Sequence, residues 1–120
     1  MEHISEQELH KIAMNHVGKD LESKGFQFIA INSQLQKHPQ FICVDAQNDL
    51  YFVMVQAVPY PINPEIPNRL FVETFLDHAK NKNAKVLFAG VGIANAENIE
   101  EPIYLSSDYV INYNGFKKIT

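Results

Sequence analysis

The sequence has one cysteine, one arginine and no tryptophan in 120 residues, and these scarcities exclude several classes of protein. A single thiol, Cys43, cannot form an internal disulfide, and it rules out zinc and iron–sulfur sites built from several cysteines. Nucleic-acid-binding surfaces rely on cationic side chains that contact phosphate, with arginine as the preferred bidentate donor. Because Arg69 is the only arginine and the net charge is −4, the composition allows nucleic-acid binding but does not favour it.

Long hydrophobic runs are missing as well. No apolar stretch approaches the roughly 20 residues of a membrane-spanning helix, and the N-terminal Met-Glu-His-Ile-Ser-Glu does not resemble a signal peptide. Hydrophobic residues make up 46% of the chain and charged residues 20%, which is the balance of a folded globular protein. We therefore expect one cytosolic domain over residues 1–120, with a single core.

A helix is predicted near the N-terminus. Ser5 and Glu8 have the spacing of a capping box, in which the hydroxyl accepts from the amide three residues on. At the other end, Lys24 and Gly25 are typical of a basic last turn followed by a left-handed cap. Between them, apolar residues recur at helical spacing, at Leu9, Ile12, Ala13, Val17 and Leu21.

Three strands are predicted next, because short aromatic and β-branched segments alternate with polar turns. The third is apolar on both faces, which is typical of a central strand covered on both sides. We expect Met54 and Gln56 to point to the same side of that strand, since strand side chains alternate. The predicted strands span Phe26–Ile31, Phe41–Asp45 and Leu50–Val58, with a turn at Gln47–Asp49.

Four prolines between residues 59 and 67 exclude a helix or an inner strand in that segment. A second amphipathic helix is predicted from about Asn68 to the Asn81–Asn83 segment, followed by a fourth strand over Lys85–Val91. Short trailing strands are expected at 103–105 and 109–113. The apolar positions of the second helix are Leu70, Phe71, Val72, Phe75, Leu76 and Ala79.

The order of these elements predicts the fold. Tight turns make the first three strands an antiparallel meander, whereas the helical crossover places the third and fourth strands parallel. The result is a three-layer α/β/α domain around a mixed sheet of four to six strands, in the order αβββαβ plus trailing β.

This arrangement resembles the core of the restriction-endonuclease-like, or PD-(D/E)xK, superfamily. Residues 21–32, Leu-Glu-Ser-Lys-Gly-Phe-Gln-Phe-Ile-Ala-Ile-Asn, are similar to a helix-end, glycine, aromatic, strand and asparagine passage of its small stand-alone bacterial YraN-type proteins. Residues 49–56, Asp-Leu-Tyr-Phe-Val-Met-Val-Gln, are similar to their third strand, whose pattern is hydrophobic-Phe-Val-Glu-Val-Lys. The resemblance covers roughly residues 10–92 and implies a restriction-endonuclease-like fold.

The resemblance also implies a nuclease site, from which this sequence departs at each position. In the superfamily, an acid on the second strand and an acid-x-lysine on the third converge around Mg²⁺, which activates the attacking water. Met54 stands in place of the third-strand acid, Gln56 in place of the lysine and Phe41 near the place of the second-strand acid. The first helix offers Met14 or Asn15 where relatives offer glutamate. Thioethers and aromatic rings do not bind Mg²⁺, so we expect no catalytic, cofactor or metal residues.

Two other carboxylates leave an alternative open. Asp45 ends the second strand beside the turn, and Glu73 lies in the first turns of the second helix, where relatives in the superfamily sometimes carry a migrated acid. The alternative hypothesis is a Mg²⁺-dependent nuclease that uses both. The simpler interpretation is a strand-end acid and an exposed acid favoured by the helix dipole.

The remaining patterns that carry chemistry are incomplete. His10 and His16 are six residues apart, so they do not share a helical face as two metal ligands would. Gly90 and Gly92 follow a strand without the third glycine of a dinucleotide-binding fingerprint, which favours close packing or a kink at the end of the strand. Cys43 lies mid-strand, as a buried and unreactive thiol does.

The sequence therefore predicts a catalytically degenerate nuclease-fold domain with a binding or assembly role and an unknown partner. An unrelated α/β domain with a small-molecule pocket is a third hypothesis. A homodimer is also expected, because two apolar segments need cover and a twofold contact would bury them. Those segments carry Tyr60, Ile62 and Ile66 in the proline-rich stretch and Tyr109, Ile111 and Tyr113 in the tail.

Overall fold

The computed structural model describes residues 2–34 and 39–119. They form a mixed α/β domain in which one sheet carries a helix on each face. The elements in chain order are α1 (Glu6–Ser23), β1 (Gln27–Ile31), β2 (Phe41–Val44), β3 (Leu50–Pro59), α2 (Arg69–Asn81), β4 (Lys85–Asn95), β5 (Tyr109–Tyr113) and β6 (Lys117–Lys118).

The sheet is mixed, and β3 lies at its centre. The strand order is β1-β2-β3-β4-β5, and the short β6 also pairs with β4. β3 runs antiparallel to β2 and parallel to β4, whereas β5 and β6 run antiparallel to β4. The predicted mixed sheet with a central third strand is confirmed.

Helix α1 begins and ends at the predicted caps. The Ser5 side chain accepts a hydrogen bond from the Glu8 amide at 3.1 Å, which satisfies one of the free N–H groups of the first turn. Gly25 adopts a φ of +90°, the left-handed conformation that follows many helix ends. The buried face packs on one side of the sheet, where its core includes Ala13, Val17, Leu21, Val53, Val55, Leu87 and Ala89.

Helix α2 covers the opposite side of the sheet. Phe75 and Ala79 of this helix pack with Phe52, Met54 and Phe88 of the strands. Met54 therefore faces α2, and a helix lies on each face as predicted. The side chains of Leu70 and Phe71, which the sequence also assigns to this apolar face, lie outside the described ones. No helix in the described part of the chain is long and apolar enough to cross a bilayer.

The proline loop, residues 60–68, runs from β3 to α2 and packs directly on β4. An added Cβ at Gly90 would lie 1.9 Å from the carbonyl oxygen of Pro64, and one at Gly92 would lie 3.3 Å from the Pro64 ring. Only glycine at position 90 lets the loop backbone approach the strand this closely. The close-packing interpretation of the two glycines is confirmed.

Strand β4 is longer than predicted, since it continues past Val91 to Asn95. The extension exists because β5 pairs with it from Val91–Tyr113 to Asn95–Tyr109. The glycines therefore lie inside a regular strand. Of the trailing segment predicted at 103–105, only an isolated bridge between His3 and Tyr104 forms.

Candidate functional site: a cleft at the free end of strand β3

Strand β3 extends beyond the end of its antiparallel neighbour β2, and Gln40 lies where the pairing of the two strands stops. Pairing between β2 and β3 stops at Phe41–Val53, although β3 continues to Pro59. The Gln40 N–H donates to the Val53 carbonyl at 3.1 Å, and the Val55 N–H donates to Gln40 Oε1 at 2.7 Å. Gln40 is fully buried, so its side chain takes the place of one further residue of β2.

Beyond Gln40, the free side of β3 opens into a cleft of about 580 Å³. This volume is within the usual range of ligand sites, about 300–1,000 Å³. Residues 54–57 of β3 form its floor. Its walls are the N-terminal segment with α1, the proline loop, and Pro102 and Ile103 just before Tyr104. The lining residues are His3, Ile4, Glu6, Leu9, His10, Gln40, Met54, Val55, Gln56, Ala57, Pro59, Ile62, Asn68, Pro102 and Ile103.

One wall of the cleft is held in place by Asn95, which lies beyond the end predicted for the fourth strand. Its Nδ2 donates to the Pro102 carbonyl at 2.9 Å, and its Oδ1 accepts from the Glu97 amide at 2.9 Å. The segment it organises then pairs with the N-terminus, where the Ile4 N–H donates to the Ile103 carbonyl at 2.9 Å. The available signal is an asparagine directly after an apolar strand, a position from which it accepts local backbone bonds.

At the third-strand positions of the expected nuclease site, one side chain packs in the core and the other holds the proline loop against β3. Met54 is 2% exposed and lies among the aromatic rings of the α2-side core. Gln56 lies on the same side, where its Nε2 donates to the Ile66 carbonyl at 2.8 Å and its Oε1 accepts from the Asn68 N–H at 3.2 Å. Both ends of the Gln56 amide thus fasten the proline loop to β3.

The structure corrects the position given to Phe41. Phe41 pairs with Val53 and packs in the α1-side core, so it faces away from the side that Met54 and Gln56 share. In this hairpin Gln40, one residue before Phe41, is the residue that lies across from this part of β3.

Asp45 and Glu73 are not brought together. Asp45 accepts from the N–H groups of Gln47 and Asp49 and from the Tyr51 hydroxyl, at 2.9–3.0 Å. The Asp49 bond is the main cause that holds the pKa of Asp45 below its ordinary value, against a smaller desolvation effect. Asp49, at the end of this turn, is seven residues from Gln56 along the chain, a distance of about 23 Å in a strand. Glu73 is exposed on α2, on the other side of the sheet from Tyr51.

Met54, Gln56 and the residues that line the cleft do not suit Mg²⁺, which takes hard oxygen ligands and usually a carboxylate. Met54 offers a thioether, and the one amide oxygen of Gln56 is already bonded to the Asn68 N–H. Among the described residues that line the cleft, Glu6, exposed at the start of α1, is the only one with a carboxylate. Within residues 2–34 and 39–119, no group of three or more His, Cys, Asp or Glu side chains is placed to hold a metal ion.

The tail does not present the apolar face that the sequence suggests. Ile111 and Tyr113 of β5 pack against the α1-side core, and the Tyr113 hydroxyl donates to Asp20 at 2.7 Å. The exposed side chains of this strand include Tyr109 and Val110 instead. Two of the three tail residues assigned to a dimer contact are therefore partly buried against the core.

A match to a protein family covers nearly all of the chain. The sequence model of a domain of unknown function, DUF8840, matches residues 7–119, from the first turn of α1 to the end of β6. The chain belongs to the DUF8840 family. No curated protein matches it. The cleft is built almost wholly from residues inside the DUF8840 match, with His3, Ile4 and Glu6 just before it.

Proposed function

We propose that this chain is a catalytically inactive domain of restriction-endonuclease-like fold, and that its cleft beside β3 serves binding. The order αβββαβ, with three antiparallel strands followed by a parallel crossover, supports the fold assignment. The cleft opens where β2 and β3 part, close to the second- and third-strand positions at which the resemblance implies catalytic groups.

One observation carries the proposal. At the acid and lysine positions of the third strand, the side chains are a buried thioether and an amide bonded at both ends to the proline loop. A group that fastens a loop through two backbone bonds is not available to orient water or neutralise a phosphate. An open cleft of about 580 Å³ beside these groups retains room for a ligand without retaining the chemistry.

The catalytic half of the proposal is tested with plasmid DNA and single-stranded RNA in Mg²⁺ or Mn²⁺. We expect no cleavage by the purified chain at micromolar concentration. Cleavage that Asp45→Asn or Glu73→Gln abolishes would overturn the proposal in favour of the migrated-site nuclease.

The binding half is tested by a fragment screen that follows amide chemical shifts of the labelled chain. We expect the shifts produced by the hits to cluster at residues 54–57 and at the N-terminal wall, and Ile62→Asp to weaken them. Ile62 is 56% exposed, so this change should leave the fold intact. Ile99→Asp, at a position 46% exposed and outside the cleft lining, is the matched control. Hits whose chemical-shift changes lie outside the cleft, or a screen with no hits, would contradict the binding role.

Self-association is a second proposal, and it now rests on the proline loop alone. Tyr60, Ile62 and Ile66 are 45–65% exposed, and clustered exposed apolar side chains mark interaction surfaces. Sedimentation at micromolar concentration should show a species near twice 13.7 kDa that Tyr60→Asp dissociates. A monomer at all concentrations would refute it.

A further inference from the structure

We infer that the cleft binds a short extended peptide segment of another protein, added as a strand to β3, with apolar side chains and Lys or Arg beside them. The inference rests on the proposed binding function and names the ligand class. Three features carry it: the backbone groups on the free side of β3, the apolar lining and the charge of the rim.

The free side of β3 offers backbone hydrogen-bonding groups to the cleft. Val53 and Val55 both bond towards Gln40, and backbone groups in a strand alternate in direction. The N–H and carbonyl of Ala57 therefore point to the same side, as does the Val55 carbonyl. Among the described residues, no strand pairs with this part of β3 on the β2 side. An added strand uses such groups for affinity.

The two ends of this free edge limit the length of the added strand. At one end, Gln40 already occupies the Val55 N–H. At the other end, Pro59 has no N–H, and its carbonyl accepts from Ile62 at 3.0 Å. Within the described residues, three groups remain between them, namely the Val55 carbonyl and the N–H and carbonyl of Ala57, so about three peptide residues can pair. Two peptide N–H groups, two residues apart, would donate to the carbonyls of Val55 and Ala57.

The lining beside this edge is mostly apolar. Ile4, Leu9, Ile62 and Ile103 lie around the floor of the cleft. Aliphatic side chains on alternate peptide residues would bury apolar surface there, which supplies most of the stabilisation in a site of this kind.

The rim of the cleft is acidic. We define the acidic rim as Glu2, Glu6, Glu100 and Glu101, which are all exposed: Glu6 lines the cleft, Glu2 and Glu101 are adjacent in sequence to lining residues, and Glu100 precedes Glu101. Residues 2–10 and 96–108 contain no lysine or arginine, and none of the ion pairs between described residues includes a rim carboxylate. Two basic residues, Lys11 beside His10 and Arg69 beside Asn68, are adjacent in sequence to the lining residues named above, and the rim carboxylates outnumber them. Complementary charge therefore favours a basic segment over an acidic one.

The test begins with selection from a random twelve-residue phage-displayed library on the full chain, followed by synthesis of the enriched peptide as the probe. We expect enriched sequences that alternate apolar residues, carry Lys or Arg and lack Asp and Glu. A scan that methylates one backbone nitrogen of the peptide at a time then reports pairing. Methylation at two positions, two residues apart, should weaken binding about tenfold, whereas the position between them should tolerate it.

The charge of the rim is tested with Glu100→Gln/Glu101→Gln. This double variant should bind the probe about three- to tenfold more weakly at low salt and should show a smaller salt dependence. Glu73→Gln, an exposed acid on α2, is the matched control and should bind as the unaltered chain does.

The outcomes separate this inference from the proposed function. If fragments shift the cleft amides but no peptide is enriched, or if the methylation scan shows no two-residue period, strand addition is overturned and the binding role stands. Enriched peptides rich in Asp or Glu would overturn the charge argument. If fragments also leave the cleft amides unmoved, both proposals fail.

Discussion

At the scale of single residues, Gln56 shows how a position expected to be catalytic can serve structure. Its amide donates at one end and accepts at the other, and both partners are backbone groups of the proline loop. A lysine at this position could donate to the Ile66 carbonyl but could not accept from the Asn68 N–H. Glutamine is therefore the residue type that satisfies both groups.

Replacing Gln56 by methionine should lower the free energy of unfolding by about 1–2 kcal/mol, because both backbone bonds are lost while the length of the side chain is kept. Urea denaturation measures the change. Gln47→Met, at an exposed turn position, is the control and should leave the midpoint nearly unchanged. An equal shift in both variants would show that the Gln56 amide does not fasten the loop.

Cys43 should be inert in the folded chain. It is completely buried, and desolvation, helped by the nearby Asp45 charge, raises the pKa of the thiol to about 11. At pH 8 little of the thiol is therefore ionised to thiolate, and burial keeps reagents in solution from reaching the sulfur. A chromogenic disulfide reagent should label the native chain only at the rate of unfolding, and at once in urea. Rapid native labelling would contradict this environment.

At the scale of elements, a half-buried hydrogen bond joins β5 to α1 beside the ring contact of Tyr113 with His16. The Tyr113 hydroxyl donates to Asp20, which also pairs with Lys24. Burial raises the pKa of the Asp20 carboxyl, but these two partners outweigh it and hold the pKa below the ordinary value. Burial and the Asp20 bond also raise the pKa of the Tyr113 phenol.

Tyr113→Phe should cost about 1 kcal/mol of stability, since it removes this bond and keeps the ring in the core. Tyr109→Phe, on the same strand and 44% exposed, is the control. Thermal unfolding of both variants gives the comparison. A Tyr113→Phe variant as stable as the control would mean that the bond contributes nothing.

The elements differ in how far their sequence predicts them. Helix α1 and strand β3 follow from local patterns, because a cap, an apolar face and an uninterrupted apolar run each involve neighbouring residues. The inward direction of Tyr113 does not follow, since alternation in a strand shows that one face is apolar but not which side of the sheet receives it.

The candidate site is less predictable than the fold. The sequence identifies Met54 and Gln56 as the positions to examine, yet the cleft beside them depends on where β2 stops. That point is set by the Gln40 side chain, which bonds to Val55 across fifteen positions of the chain. No local sequence pattern predicts that a side chain will take the place of a strand residue.

At the scale of the whole molecule, acid should destabilise the fold through Asp20 and Asp45. Both have a pKa below the ordinary 3.8 in the folded chain, so their contribution to stability is complete well above 3.8 and is lost as the pH falls through the lower folded-state pKa. The free energy of unfolding should therefore drop between about pH 5 and pH 2.

The double variant Asp20→Asn/Asp45→Asn should be less stable than the unaltered chain at pH 7 and should lose less stability on acidification. Urea denaturation at several pH values measures both slopes. Asp108→Asn, an exposed acid outside both contacts, is the control. Parallel slopes in all three proteins would assign the acid sensitivity to other carboxylates.

The contact between Pro64 and Gly90 also has an evolutionary consequence. Because the Pro64 carbonyl occupies the place of a Cβ at position 90, the two segments cannot diverge independently among DUF8840 members. A member with alanine or a larger residue at position 90 must carry a proline loop of another length or path. Its cleft would then have a different wall, since Ile62 and Asn68 belong to that loop. Glycine at position 90 is thus a requirement for the cleft wall seen in this chain.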